Sequence, residues 1–252
     1  MSTLAIVQAR MSSTRFPGKV LEDLQGAPMI IRQLERIRRA TSLDQVVVAT
    51  TTDPSDDPLV EILEQAHIQY MRGDLDNVLG RFIKVIDEFN PEVVIRLTAD
   101  CPLTSPQVID EVVTSFLKSE VDYISNTMTP TYPDGLDVEV VRPDALRYVN
   151  ATTQDQPERE HVTLGVYRRP EIFQIRNIVN DIDLSSLRWT VDTPEDFAFV
   201  KAVYAELFPA NPEFEMSDVL DYLEKYPERS RTDQDAIRNA ALQGLDTGAM
   251  NV

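Results

Sequence analysis

The chain has 252 residues, 42 carboxylates against 24 lysines and arginines, and a formal net charge of −18, a balance that weighs against nonspecific nucleic-acid binding and against docking on anionic lipid. Its single cysteine, Cys101, precludes an intramolecular disulfide and suits the cytoplasm, and with two histidines the ligands for a zinc cage are too few. No apolar run approaches the ~20 residues that span a bilayer, and the short apolar run at the N-terminus ends at Arg10 with no basic stretch before it, so neither a membrane anchor nor a signal peptide is expected.

Leu4–Ala9 reads as a first, buried strand. It empties into Arg10-Met-Ser-Ser-Thr-Arg15-Phe-Pro-Gly18-Lys19, a loop with three cations and no carboxylate before Glu22. The spacing then predicts a helix over Pro28–Ala40, a strand at Gln45–Thr50, a helix over Asp57–Ala66 and a short strand at Ile68–Met71. A helix follows over Asp76–Phe89 with Asp76 as N-cap, then a strand at Glu92–Thr98. Ser105–Leu117 is a helix with Pro106 in its first turn, and Asp122–Ser125 closes the series. Strands alternating with helices of about ten to fifteen residues imply βαβ units and a parallel sheet. Ligands in such sheets lie beyond the carboxyl ends of the strands, where the loops Arg10–Lys19 and Ala99–Leu103 fall.

Beyond Asn126 the pattern changes. Thr129–Gly135 is rich in turn residues, and Leu136–Val141 alternates as a half-exposed strand does. Pro143–Val149 and Glu158–Tyr167 look helical, and Ile172–Ile178 and Leu187–Val191 look like strands. Helices are expected over Pro194–Leu207, capped by Thr193, and over Ser217–Tyr226. The chain reads as one domain over residues 1–226 with a β insertion at about 127–180, followed by a polar tail over 227–252.

Four groups of residues can carry chemistry. Arg10, Arg15 and Lys19 offer guanidinium forks and a compact ammonium for phosphates, without the glycine pattern of a Walker loop or a dinucleotide fingerprint; a solvated surface loop is the plain alternative. Asp100, at the end of an apolar strand, suits Mg²⁺, which takes the rest of its ligands from water and substrate phosphates; a turn aspartate is the alternative. Cys101 reads as a packed thiol. Asp192 also ends a strand and is the natural partner of Asp100 on one metal, unless it only caps the next helix. Asp137 and Glu139 share a strand face, and Glu158 and His161 neighbour each other on a helix; either pair can bond a polyhydroxyl substrate or merely face solvent or a subunit.

Taken together, Gln8-Ala-Arg10-Met-Ser-Ser-Thr-Arg15-Phe-Pro-Gly18-Lys19-Val-Leu21, Arg72-Gly-Asp-Leu-Asp76-Asn77-Val78-Leu79-Gly-Arg81, Arg96-Leu-Thr-Ala-Asp100-Cys-Pro-Leu103, Tyr132-Pro-Asp-Gly-Leu-Asp137-Val-Glu139, Glu158-Arg-Glu-His161-Val-Thr163 and Trp189-Thr-Val-Asp192-Thr-Pro-Glu-Asp196 closely resemble the sugar cytidylyltransferases, and in order the spore-coat polysaccharide branch. The resemblance covers residues 1 to about 208. It implies a Rossmann-like α/β nucleotidyltransferase fold related to the GT-A type, a homodimer, and CTP with Mg²⁺ as reactants. By the same resemblance Ala9, Arg10, Ser12, Arg15, Lys19, Arg72 and Asp100 would bind the nucleotide, with Arg10, Lys19 and Asp100 catalytic and Asp100 and Asp192 holding the metal. Asp137, Glu139, Glu160 and His161 would contact a sugar or sugar-acid acceptor. The middle segment that binds the sugar in the CMP-KDO branch has no recognisable counterpart, which leaves the acceptor open. The expected reaction is transfer of CMP to the acceptor with release of pyrophosphate, for cell-surface polysaccharide synthesis. A metal-dependent glycosyltransferase of the related fold and a non-catalytic nucleotide-binding protein are the alternatives.

Overall fold

The computed structural model describes residues 1–232. β1 (Thr3–Gln8) is buried almost throughout, because alternate side chains point to opposite faces and both faces are covered. Ala5 and Val7 join one apolar cluster, Leu4 and Ile6 the other. Parallel strands β2 (Gln45–Thr51) and β4 (Val93–Thr98) flank β1, and β3 (Tyr70–Gly73) adds a further parallel strand beyond β2. On one face lie α1 (Met29–Ile37), α2 (Asp57–Gln65), α4 (Pro106–Leu117), α8 (Pro194–Leu207) and α9 (Met216–Lys225), packed through residues such as Leu34, Leu63, Val112, Val200 and Val219. On the other lie α3 (Val78–Phe89), α5 (Pro143–Thr152) and α7 (Leu164–Tyr167), through Phe82, Leu146 and Val166. Truncating a fully buried side chain such as Ile6 to alanine would cost roughly 2–5 kcal/mol.

The sheet is completed by β5 (Tyr123–Ser125), β6 (Glu139–Val141) and β7 (Ile175–Asn177), in the order β3-β2-β1-β4-β6-β5-β7. The sheet is mostly parallel, as expected, but β6 runs antiparallel between β4 and β5. The alternation in Leu136–Val141 suggested one wet face. In fact Glu139–Val141 is buried throughout, because the strand is central and covered on both sides. Segment 127–180 thus supplies strands to the main sheet itself.

Other differences are local. Asn77, not Asp76, caps α3, its side chain accepting from the Gly80 amide at 2.9 Å, while Asp74 takes the Asp76 and Asn77 amides. The expected helix over Glu158–Tyr167 is broken into α6 (Gln156–Glu160) and α7, because Val162 has φ +37° and cannot continue a right-handed helix. Leu187–Val191 is extended, with Trp189 and Val191 fully buried, but among the described residues its β-pairing is limited to single bridges at Arg188–Asp134 and Leu187–Thr232. After a short 3-10 turn at Pro227–Arg229 the backbone returns to that segment; the remainder of the expected tail, 233–252, lies outside the described residues. Among the described residues no helix is long and apolar enough to cross a membrane.

Candidate active site

Gln8 of β1 is level with Thr98 of β4, and the Ala99 amide donates to the Gln8 carbonyl at 3.0 Å. The two loops expected to carry chemistry therefore leave the sheet side by side. Between them opens a cavity of about 610 Å³, within the range of small-molecule sites. Its lining includes Ala9, Arg10, Arg15, Lys19, Asp100, Asp137, Glu139, Glu160, His161 and Asp192.

The basic loop is anchored from two sides. Buried Asp56 takes the Met11 amide at 2.7 Å while also accepting from Thr50, Thr51 and the Thr51 amide. The Gly18 amide donates to the Met11 carbonyl at 2.9 Å, and Gly18 has φ +75°, the left-handed conformation that glycine adopts without a Cβ penalty. This turn delivers Lys19, only 8% exposed, into the cavity wall. Its ammonium donates to the Val191 carbonyl at 2.6 Å and lies 3.2 Å from Asp192 Oδ1 and 3.5 Å from Asp100 Oδ2. One ammonium therefore joins the two carboxylates that the sequence pairs.

Asp100 also accepts from the Thr98 hydroxyl at 2.6 Å and from the Cys101 thiol at 3.3 Å. Burial acts to raise its pKa, but Lys19 and these hydrogen bonds prevail and hold it below the usual carboxylate value, so Asp100 is an anion at neutral pH. Burial and the neighbouring Asp100 push the Cys101 thiol well up, as befits a packed thiol rather than a nucleophile. Asp192 is freed from capping duty because Thr193 caps α8, paired with Asp196 in a capping box. Its carboxylate meets Arg15 at 2.9 Å and Arg188 at 2.9 Å in addition to Lys19. Arg10 is exposed on the rim and makes no hydrogen bond or ion pair among the described residues.

The opposite end of the cavity is a closed polar network. The register of β4 against β6 sets Arg96 directly across from Glu139, and the two form an ion pair. Glu139, 6% exposed, also accepts from the Tyr123 hydroxyl at 2.6 Å and from Thr163. Burial opposes the charge on Arg96, yet Glu139 raises its pKa above the ordinary value. His161 has its pKa lowered by burial and by Arg96, so it is neutral at pH 7. Val162, a β-branched residue at positive φ, stands between His161 and Thr163, both of which line the cavity.

The profile of the cytidylyltransferase family matches residues 4–238. The chain belongs to the cytidylyltransferase family, and it is a nucleotidyltransferase. It is 31% identical over 233 residues to the spore coat polysaccharide biosynthesis protein SpsF of Bacillus subtilis, covering 89% of this chain and 95% of that one. It is 32% identical over 193 residues to the 3-deoxy-manno-octulosonate cytidylyltransferase of Sodalis glossinidius, covering 70% and 75% respectively. A solved cytidylyltransferase from Leptospira borgpetersenii superposes with a TM-score of 0.86 at 28% identity, over 95% of this chain and 98% of the other.

Not every sequence-chosen residue of this cytidylyltransferase faces the cavity. Ser12 is exposed outside the lining, and Arg72 is held elsewhere by the Thr51 and Asp53 carbonyls and by Asp57 at 2.8 Å. Glu158 is buried against Arg168 and Arg169 rather than presented beside His161. Sequence reasoning assigned no role to Arg188, which is 2% exposed and reaches Asp134, Asp192 and Asp196. Burial would lower its pKa, but the hydrogen bonds it donates to Asp196 and Asp192 raise it, fixing the guanidinium as a cation. Its four-residue spacing to Asp192 was the available signal. The roles of Asp56 and Thr98 left no such trace, and Asp196 was marked only as a first-turn acid of the helix that Thr193 caps.

For a divalent cation the donor set is suitable. Asp100 and Asp192 meet at one cationic point, and Mg²⁺ needs only one or two carboxylates when substrate phosphates supply the rest. No group of three or more His, Cys, Asp or Glu side chains forms a metal cage among the described residues.

Proposed function

We propose that this cytidylyltransferase transfers CMP from CTP to a hydroxyl of a sugar or sugar acid and releases pyrophosphate, supplying a CMP-linked sugar for polysaccharide synthesis. The observation that carries the reading is the Lys19 ammonium shared by Asp100 and Asp192 inside the cavity at the ends of β1 and β4. The names of the spore-coat and octulosonate relatives support the sugar side. Arg10, Arg15 and Lys19 bind the triphosphate and stabilise the charge that grows on it as the α-phosphorus is attacked. The acceptor oxygen bonds to that phosphorus and the bond to the β-phosphate oxygen breaks. Asp137, Glu160 and His161 orient the acceptor, and neutral His161 is the side chain suited to take the hydroxyl proton. Glu139, spent on Arg96, Tyr123 and Thr163, acts by fixing that wall. Asp100 and Asp192 would hold Mg²⁺, which would supply charge neutralisation and orientation of the phosphates. Alignment of nucleophile and leaving group provides much of the remaining acceleration. The enzyme acts as a homodimer in the cytoplasm, which light scattering and fractionation test.

The decisive assay supplies CTP, Mg²⁺ and a panel of sugars and sugar acids. Pyrophosphate and a CMP-linked product support the reading. A free nucleoside diphosphate released from a nucleotide sugar indicates a glycosyltransferase instead. CTP binding that ignores Mg²⁺, with no turnover of any acceptor, indicates a binding protein.

A further inference from the structure

The last described stretch of the chain, beyond the 3-10 turn at Pro227–Arg229, comes back to the active site. The Arg188 amide donates to the Arg231 carbonyl at 2.9 Å, and Leu187 bridges to Thr232. On its other side the same segment is tied to Asp134, whose amide donates to the Leu187 carbonyl at 2.9 Å and whose carbonyl takes the Trp189 amide at 2.6 Å. Close packing at this join leaves no room for a side chain at Gly135, where a Cβ would lie 2.6 Å from the Thr190 nitrogen.

The side chains converge on Asp196, a carboxylate that is 1% exposed. Its Oδ1 accepts from Arg188 Nε at 3.1 Å and from Arg231 Nε and Nη2 at 3.3 and 3.0 Å. Its Oδ2 accepts from Arg188 Nη2 at 3.1 Å and from the amides of Asp192 and Thr193 at 3.0 Å each. Asp196 thereby fixes the backbone of Asp192 directly, and through Arg188 Nη2, 2.9 Å from Asp192 Oδ2, it fixes the side chain as well. Arg188 faces three carboxylates, Asp134, Asp192 and Asp196, and cannot balance them alone. Arg231 supplies the second cation and a planar fork that sets the angle of Asp196.

We propose that Arg231 is a positioning residue for Asp192, so that the strap behind α9 is part of the catalytic machinery. The inference rests on the reading of Asp192 as a working carboxylate under Proposed function. Without Arg231, Asp196 keeps the Asp192 and Thr193 amides but has Arg188 as its one remaining cation among the described residues, and it competes with Asp192 for the same guanidinium nitrogen. The side chain of Arg231 is 21% exposed at the end of the described chain, and its removal strands no buried cation.

The test uses the full chain with Arg231→Met, Arg231→Lys and Asp192→Asn. Mn²⁺ affinity in the presence of CTP is read by electron paramagnetic resonance, beside kcat and KM for pyrophosphate release and the thermal midpoint. Arg231→Met is expected to weaken Mn²⁺ binding by about tenfold, the range found when groups supporting metal ligands are lost, and to lower kcat while KM for CTP changes little. Arg231→Lys restores most of the affinity by returning the charge. If Arg231→Met does not fold, Arg231→Gln, which keeps hydrogen-bonding capacity without charge, takes its place with the same expectation. A lower thermal midpoint with wild-type Mn²⁺ affinity and kcat would show a merely structural contact and overturn the proposal. Asp192→Asn separates the two levels. Wild-type Mn²⁺ binding in that variant removes the role of Asp192 itself, whereas loss there with no effect of Arg231→Met removes only the strap.

Discussion

The two ends of the cavity handle charge in opposite ways. At one end the cations stand on a loop: Arg10 has no partner among the described residues, Arg15 is half exposed, and Lys19 and the carboxylates at hand can exchange contacts. At the other end Arg96 and Glu139 face each other across two strands and Tyr123 and Thr163 complete the closure. The first end is therefore electrostatic and adjustable. The second end is neutralised internally and rigid. The comparison teaches that the net charge of −18 says little about the site. What matters is which charges the sheet register has already paired.

The largest expected effect attacks the rigid end. Glu139→Ala strands Arg96 in the interior and should destabilise the fold by about 3–5 kcal/mol in urea denaturation, while the double change Arg96→Met with Glu139→Leu should recover much of that loss. Equal losses in the single and double variants would show that packing, not charge pairing, governs this wall. At the basic-loop end, Lys19→Ala should lower kcat roughly 100- to 1,000-fold, the cost of losing a preorganised donor, in protein that remains folded by its thermal midpoint. Unchanged turnover would end its assigned role. Arg10→Ala should weaken CTP binding by about tenfold in calorimetry and flatten its salt dependence, with no loss of stability. If salt dependence persists in full, the adjustable charge lies elsewhere in the loop.

The smallest effect sharpens the comparison through pH. His161 has a folded pKa below its ordinary value of 6.5, because burial and Arg96 disfavour the imidazolium. The unfolded chain therefore binds a proton first as pH falls below 6.5, and stability drops from there until the folded pKa is passed, by no more than about 1.4 kcal/mol per pH unit. His161→Gln should shallow that acid limb. The carboxylates behave oppositely in cause: Asp100 and Asp196 titrate below their usual value, so their contribution is complete above it and is lost only at lower pH. An identical acid limb in the variant would exclude His161 as its source.

Much of this was legible in particular residues. The run Leu4–Ala9 followed by Arg10, Arg15 and Lys19 announced both a buried strand and a basic loop in the cavity wall, because burial on two faces and local charge inversion are written in consecutive positions. Asp100 was legible for the same reason. Leu187–Val191 misled, since alternating apolar residues report burial and not which strand takes the hydrogen bonds; Trp189 and Val191 are buried outside the sheet. The helix over Glu158–Tyr167 misled because nothing in the sequence marks Val162 for positive φ; its surroundings impose it.

The sequence by itself determined the alternation of strands and helices, the basic loop, the two candidate carboxylates and the family motifs, all of which depend on neighbours close along the chain. Only the tertiary structure decided that β6 enters antiparallel beside β4, that Glu139 is spent on Arg96, and that Arg188, Asp196 and Arg231 brace Asp192. The physical reason is that a charged side chain acquires its role from its partner. These partners lie 43 residues apart for Arg96 and Glu139 and 35 apart for Asp196 and Arg231, separations that folding alone closes.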